Sequence, residues 1–260
     1  MSQTSAKQNL SETDIKRFQR DGFVIVPGLA DRTMCKRMAD VVHTSLSPPL
    51  APLEFESDVP YPGAPADRLA PGGDTPRRLL HAYARDVLFR DWATSARVAR
   101  KLQQLLQTSK IMASQNHHNC IMTKHPGYSS ATLWHQDIRY WTFDRPELIS
   151  VWLALGEENA ANGGLQILPG THALELDRGR FDAALFLRPD QPENQQLIDT
   201  AVDARLEPGD ALFFHCRAFH AAGRNTTDKV KLSVVFTYFA ADNRPIAGTR
   251  SARYPDIAIG

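Results

Sequence analysis

From Ile111 to the end of the chain, short apolar stretches are cut at intervals by turns of glycine and proline, and this punctuation restricts the fold more than any other feature. Segments Ile111–Thr123, Leu148–Leu155, Leu165–Leu168, Ala211–Phe214 and Lys231–Ala240 read as strands. Between them stand His125-Pro126-Gly127, Asn162-Gly163-Gly164, Pro169-Gly170 and Pro208-Gly209-Asp210, where glycine supplies positive φ and proline stops a regular element. Helices come first and strands afterwards, which predicts a mainly β fold: an antiparallel double-sheet barrel with helices flanking it.

The first hundred residues carry those helices. After a loose tail over Ser2–Asn9, Ser11 is an N-cap with Asp14 three positions on, and Ile15 and Phe18 share one helical face. Phe23-Val24-Ile25-Val26 forms a short strand closed at Pro27-Gly28. A second helix is expected over Asp31–Leu46, with Met34, Met38 and Val41 or Val42 inward. Seven prolines between Ser47 and Gly73 exclude a long regular element and suggest a lid over a site. Helical spacing returns over Asp86–Gln107, and Phe181–Asp203 reads as an insertion between two sheet strands. With no repeat and no second boundary, residues 1–260 are expected to form one domain.

Composition narrows the function classes. Thirty Lys and Arg against 29 Asp and Glu provide no basic surface for nucleic acid or an anionic membrane. Cys35, Cys120 and Cys216 form no CxxC pair and no disulfide framework, which fits a reducing cytoplasm. The polar N-terminus lacks the apolar core of a signal peptide, and no apolar run is long enough to span a bilayer. The expected partner is a small molecule, and nothing in the pattern selects an oligomeric state.

The chemistry concentrates at Leu133-Trp134-His135-Gln136-Asp137. On an extended backbone alternate side chains share a face, so His135 and Asp137 can aim at one ion. A third ligand is expected from Phe213-Phe214-His215-Cys216-Arg217-Ala218-Phe219-His220, where His215 and His220 both qualify. Two imidazoles and one carboxylate on one face of an ion suit iron(II) and leave positions open for substrate and oxygen. The same donors suit zinc hydrolysis, and a hydrolase, an isomerase or a non-catalytic small-molecule barrel are the competing classes.

Taken in order, several blocks resemble the phytanoyl-CoA dioxygenase family of iron(II)/2-oxoglutarate oxygenases. They are Arg20-Asp21-Gly22-Phe23-Val24, Lys124-His125-Pro126-Gly127, Trp134-His135-Gln136-Asp137, Asn162-Gly163-Gly164-Leu165-Gln166-Ile167-Leu168-Pro169-Gly170-Thr171-His172, Pro208-Gly209-Asp210-Ala211-Leu212-Phe213-Phe214-His215 and His220-Ala221-Ala222-Gly223-Arg224-Asn225. The resemblance implies a double-stranded β-helix, a cupin-like jelly roll. It implies His135, Asp137 and His220 as catalytic metal ligands, with His215 supporting them. It also implies iron(II), 2-oxoglutarate and O2 as the reactants, and hydroxylation with release of succinate and carbon dioxide. The family's basic residue for the far carboxylate of 2-oxoglutarate falls on Lys231, where lysine replaces the usual arginine fork. Ser233, on the same strand face, adds a hydroxyl. Trp152, Lys124 and His118 are further candidates for the co-substrate pocket. Arg139, Tyr140, Trp141 and Arg217, which flank the ligand blocks, are candidates for substrate contact.

Overall fold

The computed structural model describes residues 9–260, and the tail expected over Ser2–Asn9 lies, apart from Asn9, outside the described residues. Helix α1 (Glu12–Asp21) begins where the capping pattern placed it. The Ser11 hydroxyl accepts the Asp14 N–H at 3.1 Å and the Asp14 carboxylate accepts the Ser11 N–H at 3.3 Å. The helix ends at Gly22, whose φ of 81° is left-handed; a Cβ there would sit 2.5 Å from Nδ1 of His172, so only glycine fits. Strand β1 (Phe23–Val26) follows, then α2 (Arg32–Leu46), capped by the Asp31 carboxylate on the Met34 N–H at 2.8 Å.

The proline-rich stretch contains β2 (Leu53–Phe55), and β3 (Pro76–Leu80) lies just beyond it. Helices α3 (Ala82–Arg85), α4 (Val87–Ala93) and α5 (Ala96–Leu105) come next. The helical segment expected over Asp86–Gln107 is thus two helices, because Ser95 leaves the helical path and caps α5 from its own side chain. The remaining elements are β4 (Ile111–Ala113), β5 (Asn119–Lys124), β6 (Thr132–His135), β7 (Leu148–Ala154), β8 (Leu165–Ile167), α6 (Pro192–Ile198), β9 (Val202–Asp203), β10 (Ala211–His215), β11 (His220–Ala222), β12 (Lys231–Ala240) and β13 (Ile257–Ile259).

Two antiparallel sheets form from these strands. The larger runs β1-β10-β7-β12-β5-β3-β2, with β4 and β13 joined at the far end of β12; the smaller runs β6-β11-β8-β9. The single strand expected over Ile111–Thr123 is a correction. Its first part, β4, pairs with the end of β12 (Ile111 opposite Ala240), whereas β5 pairs with the start (Lys124 opposite Lys231). The polar residues between them leave the sheet because their partners lie in the C-terminal segment. The Asn116 side chain bonds both the carbonyl and the N–H of Tyr254, at 2.8 and 2.7 Å, and His117 meets the Ser251 hydroxyl at 2.8 Å.

Strand alternation divides the molecule into layers. On β12, Leu232, Val234, Phe236 and Tyr238 pack with Met38, Val42, Trp92 and Leu102 of the helices. The intervening Val235 packs inward with Trp152, Leu212, Leu165 and Ala222, a cluster shared by both sheets. Lys231, Ser233 and Thr237 share that inward face and are buried there. Apolar residues therefore hold the helix side of the large sheet, and polar ones collect in the space between the sheets.

Phe213, fully buried on the helix side of β10, tests this layer. Phe213→Ala is expected to lower unfolding free energy by about 3–5 kcal/mol in urea titrations, with metal binding retained in the folded fraction.

Candidate active site

His135 ends β6 and His220 opens β11, and the two are directly opposite in the antiparallel register. Their rings lie 4.2 Å apart between centroids. Asp137 is not on the strand as alternation would have it; it begins a single 3₁₀ turn, Asp137–Tyr140. That turn still presents the carboxylate to both imidazoles, with Oδ1 at 3.8 Å from Nε2 of His135 and 3.7 Å from Nε2 of His220. All three are buried, and together they are the group among the described residues whose donor atoms converge closely enough to hold one ion.

The backbone decides which nitrogens face the centre. Nδ1 of His135 lies 2.8 Å from the Leu133 carbonyl, and Nδ1 of His220 lies 3.1 Å from the Ala218 carbonyl. A carbonyl only accepts, so each Nδ1 carries the proton and each Nε2 lone pair is free. Burial and the neighbouring His220 drive the His135 imidazole well below its ordinary pKa, which keeps it neutral and able to ligate. Burial pushes the Asp137 carboxyl up, but His118, His220 and His135 outweigh it and hold the group below the usual carboxylate range. Two imidazole nitrogens and a carboxylate fit an octahedral divalent ion such as iron(II).

The other expected residues divide. His118 meets Oδ1 of Asp137 at 3.5 Å through Nε2 and the Ser150 hydroxyl at 3.2 Å through Nδ1, which braces the carboxylate. Lys124, Lys231 and Trp152 line one end of a cavity of about 610 Å3 that contains the triad. Ser233 lies beneath them, fully buried. Burial, reinforced by Lys231 across the strand pair, lowers the Lys124 ammonium to about 7; its Nζ donates to the carbonyls of Ser130, at 2.9 Å, and Gly223. Tyr140 and Trp141 line the same cavity. Arg139 stands behind them, its guanidinium 3.8 Å over the Phe186 ring and bonded to the Ala184 carbonyl. Arg217 is turned away, paired with Glu175 at 2.6 Å. His215 is also off the centre: its Nδ1 accepts the Arg217 N–H at 3.1 Å.

Several residues in or beside the cavity escaped the sequence reading. Arg77 and Arg78 enter the cavity from β3, held by Glu54 at 2.9 and 3.2 Å. Glu158 is buried against Lys231 at 3.1 Å. Their signal in the sequence is only a charged residue beside an apolar strand, which is the ordinary appearance of a solvated edge.

A phytanoyl-CoA dioxygenase (PhyH) family profile matches residues 18–233. The chain belongs to the phytanoyl-CoA dioxygenase family. As a member it is an enzyme of the dioxygenase type. Among similar proteins, phytanoyl-CoA dioxygenase domain-containing protein 1 of Danio rerio is 21% identical over 90% of this chain and 91% of its own length. An ectoine dioxygenase of Streptomyces avermitilis is 23% identical over 91% of this chain and 81% of its own. The crystal structure of EctD from S. alaskensis with 2-oxoglutarate and 5-hydroxyectoine superposes with a TM-score of 0.75 at 19% identity, covering 95% of this chain and 81% of that one. The epimerase SnoN in complex with Fe3+, alpha ketoglutarate and nogalamycin RO superposes at 0.71 and 22% identity, covering 90% and 85%. The family's jelly-roll fold is therefore the fold of this chain. No helix among the described residues is long and apolar enough to cross a membrane.

Around the site the histidines carry a cost in acid. Burial depresses His117 to about 3 and His118 and His215 to about 4. Between those values and 6.5 the unfolded chain binds protons that the fold refuses, so the histidines' contribution to stability falls as pH falls through that window and is level above it. The urea midpoint is expected to drop steadily from pH 6.5 to 4, and His215→Asn, which keeps an acceptor for the Arg217 N–H, is expected to flatten the drop.

Proposed function

We propose that this family member is an iron(II)- and 2-oxoglutarate-dependent dioxygenase that hydroxylates an unactivated C–H bond of a small molecule, with residues 1–260 working as one catalytic domain. The observation that carries the reading is the convergence of His135, Asp137 and His220, with both Nε2 lone pairs freed by carbonyls behind the rings. Iron(II), 2-oxoglutarate and dioxygen together supply an oxidant able to take a hydrogen atom and return a hydroxyl, with succinate and carbon dioxide as by-products. The presence of bound iron and 2-oxo acid in the SnoN structure, and of 2-oxoglutarate in EctD, supports the same co-substrate here.

The chain's own residues have distinct tasks. His135, Asp137 and His220 would hold the ion, and all three border the cavity. His118 and Ser150 keep the Asp137 carboxylate from rotating. Lys231 and Trp152 provide an ammonium and an indole N–H on the cavity wall where the far carboxylate of 2-oxoglutarate would lie, with the Ser233 hydroxyl 3.0 Å from Lys231 behind it and Lys124 on the adjacent strand. Tyr140, Trp141 and Phe186 wall the substrate end and exclude water, and Arg78 adds a cation suited to a polar or anionic substrate. Arg139 acts by bracing Tyr140 and Phe186, and Arg217 has no substrate role in this reading. The three cysteines, all free and buried, suit a cytoplasmic setting.

Succinate formation with iron(II), 2-oxoglutarate and a panel of small metabolites tests the activity. His135→Ala, Asp137→Ala and His220→Ala are each expected to abolish it and to lose stoichiometric cobalt(II) binding, whereas His215→Ala keeps both. Equal loss in all four variants would remove the ligand assignment. Lys231→Ala is expected to raise the KM for 2-oxoglutarate about tenfold or more with a smaller change in kcat.

A further inference from the structure

The cradle assigned to the co-substrate already holds a carboxylate, and it is the protein's own. Glu158 follows β7 at the Gly156-Glu157-Glu158 corner and is 1% exposed. Its Oε2 receives the Lys231 ammonium at 3.1 Å and its Oε1 the Ser233 hydroxyl at 2.6 Å. The Trp152 indole N–H lies 3.1 Å from both oxygens. Lys231 and Ser233 are themselves 3.0 Å apart, so the donors form one compact set around one carboxylate.

Two carboxylates cannot share that set. One ammonium neutralises one negative charge, and a second carboxylate in a buried site would face repulsion and a desolvation cost with no second cation in the set to offset them. The Glu158 side chain has a second place to go. Its backbone is pinned by reciprocal bonds with Leu206, 2.8 Å to the carbonyl and 3.0 Å from the N–H, so only the side chain needs to turn. It also borders a separate cleft of about 500 Å3 on whose lining Arg205 stands as well.

We infer that Glu158 determines the affinity and selectivity for the co-substrate: its carboxylate competes with the far carboxylate of 2-oxoglutarate for Lys231, Ser233 and Trp152, and turns out of the cradle when 2-oxoglutarate binds. The inference rests on 2-oxoglutarate being the co-substrate. Its consequence is that wild-type affinity is lower than the cradle alone would provide. A 2-oxo acid without a far carboxylate gains nothing from the cradle and leaves Glu158 where it is.

Isothermal titration of the full chain loaded with cobalt(II) under argon tests this with two probes, 2-oxoglutarate and 2-oxobutyrate, on wild type, Glu158→Ala and Glu158→Gln. Glu158→Ala is expected to bind 2-oxoglutarate about tenfold tighter or more, the worth of one charge-assisted hydrogen bond. Affinity for 2-oxobutyrate should stay within about twofold. Glu158→Gln, nearly the same shape, is expected to move the same way by less, and it carries the test if the alanine variant folds poorly. Unchanged or weaker 2-oxoglutarate binding in both variants overturns the inference and makes Glu158 a support for Lys231. Absence of 2-oxoglutarate binding in all three proteins, with cobalt(II) still bound, overturns the co-substrate reading itself.

Discussion

The pairing of β11 with β6 is the constraint on which the site depends. It sets His220 opposite His135, and the two imidazoles come from chain segments far apart in sequence. Each ring is fixed by a carbonyl two residues before it, so orientation is local while proximity is tertiary. Asp137 then needs only one turn of 3₁₀ helix to reach the point on which both rings converge. Because backbone hydrogen bonds of both strands hold this arrangement, the geometry does not depend on flexible side chains.

The large sheet serves two purposes through strand alternation. Its helix-facing residues make the main apolar core, and its inward residues are free to be polar. Lys124, Lys231 and Glu158, with Arg77, Arg78, Glu54 and Glu56, are ionisable groups gathered around the cavity rather than on the surface. Buried ion pairs of this kind contribute little net stability, since desolvation consumes most of their attraction. Their concentration around the space between the sheets is what a site for charged small molecules requires. The apolar helix layer carries the stability that the cavity does not.

Much of the architecture was legible in advance. The capping pair Ser11–Asp14, the ten-residue strand Lys231–Ala240 and the turns at Asn162-Gly163-Gly164 and Pro208-Gly209-Asp210 are local signals, and local signals survive folding. The break within Ile111–Thr123 was not legible, because it depends on which residues of β12 and of the C-terminal segment are within reach of Ser114–His118. Arg217 misled for the same reason: its place between two histidines is a sequence neighbourhood, and its partner is Glu175.

By itself the sequence determined the strand-and-turn order, the class of fold and the donor types of the metal triad, since these follow from periodicity, turn chemistry and motif. Only the tertiary structure decided that Lys231 is paired with Glu158, that Asp137 sits on a turn, and that Arg78 rather than Arg217 enters the cavity. The reason is physical. Periodicity along one strand says which face a side chain takes, but the charge it meets there comes from another strand, and only the sheet register brings the two together.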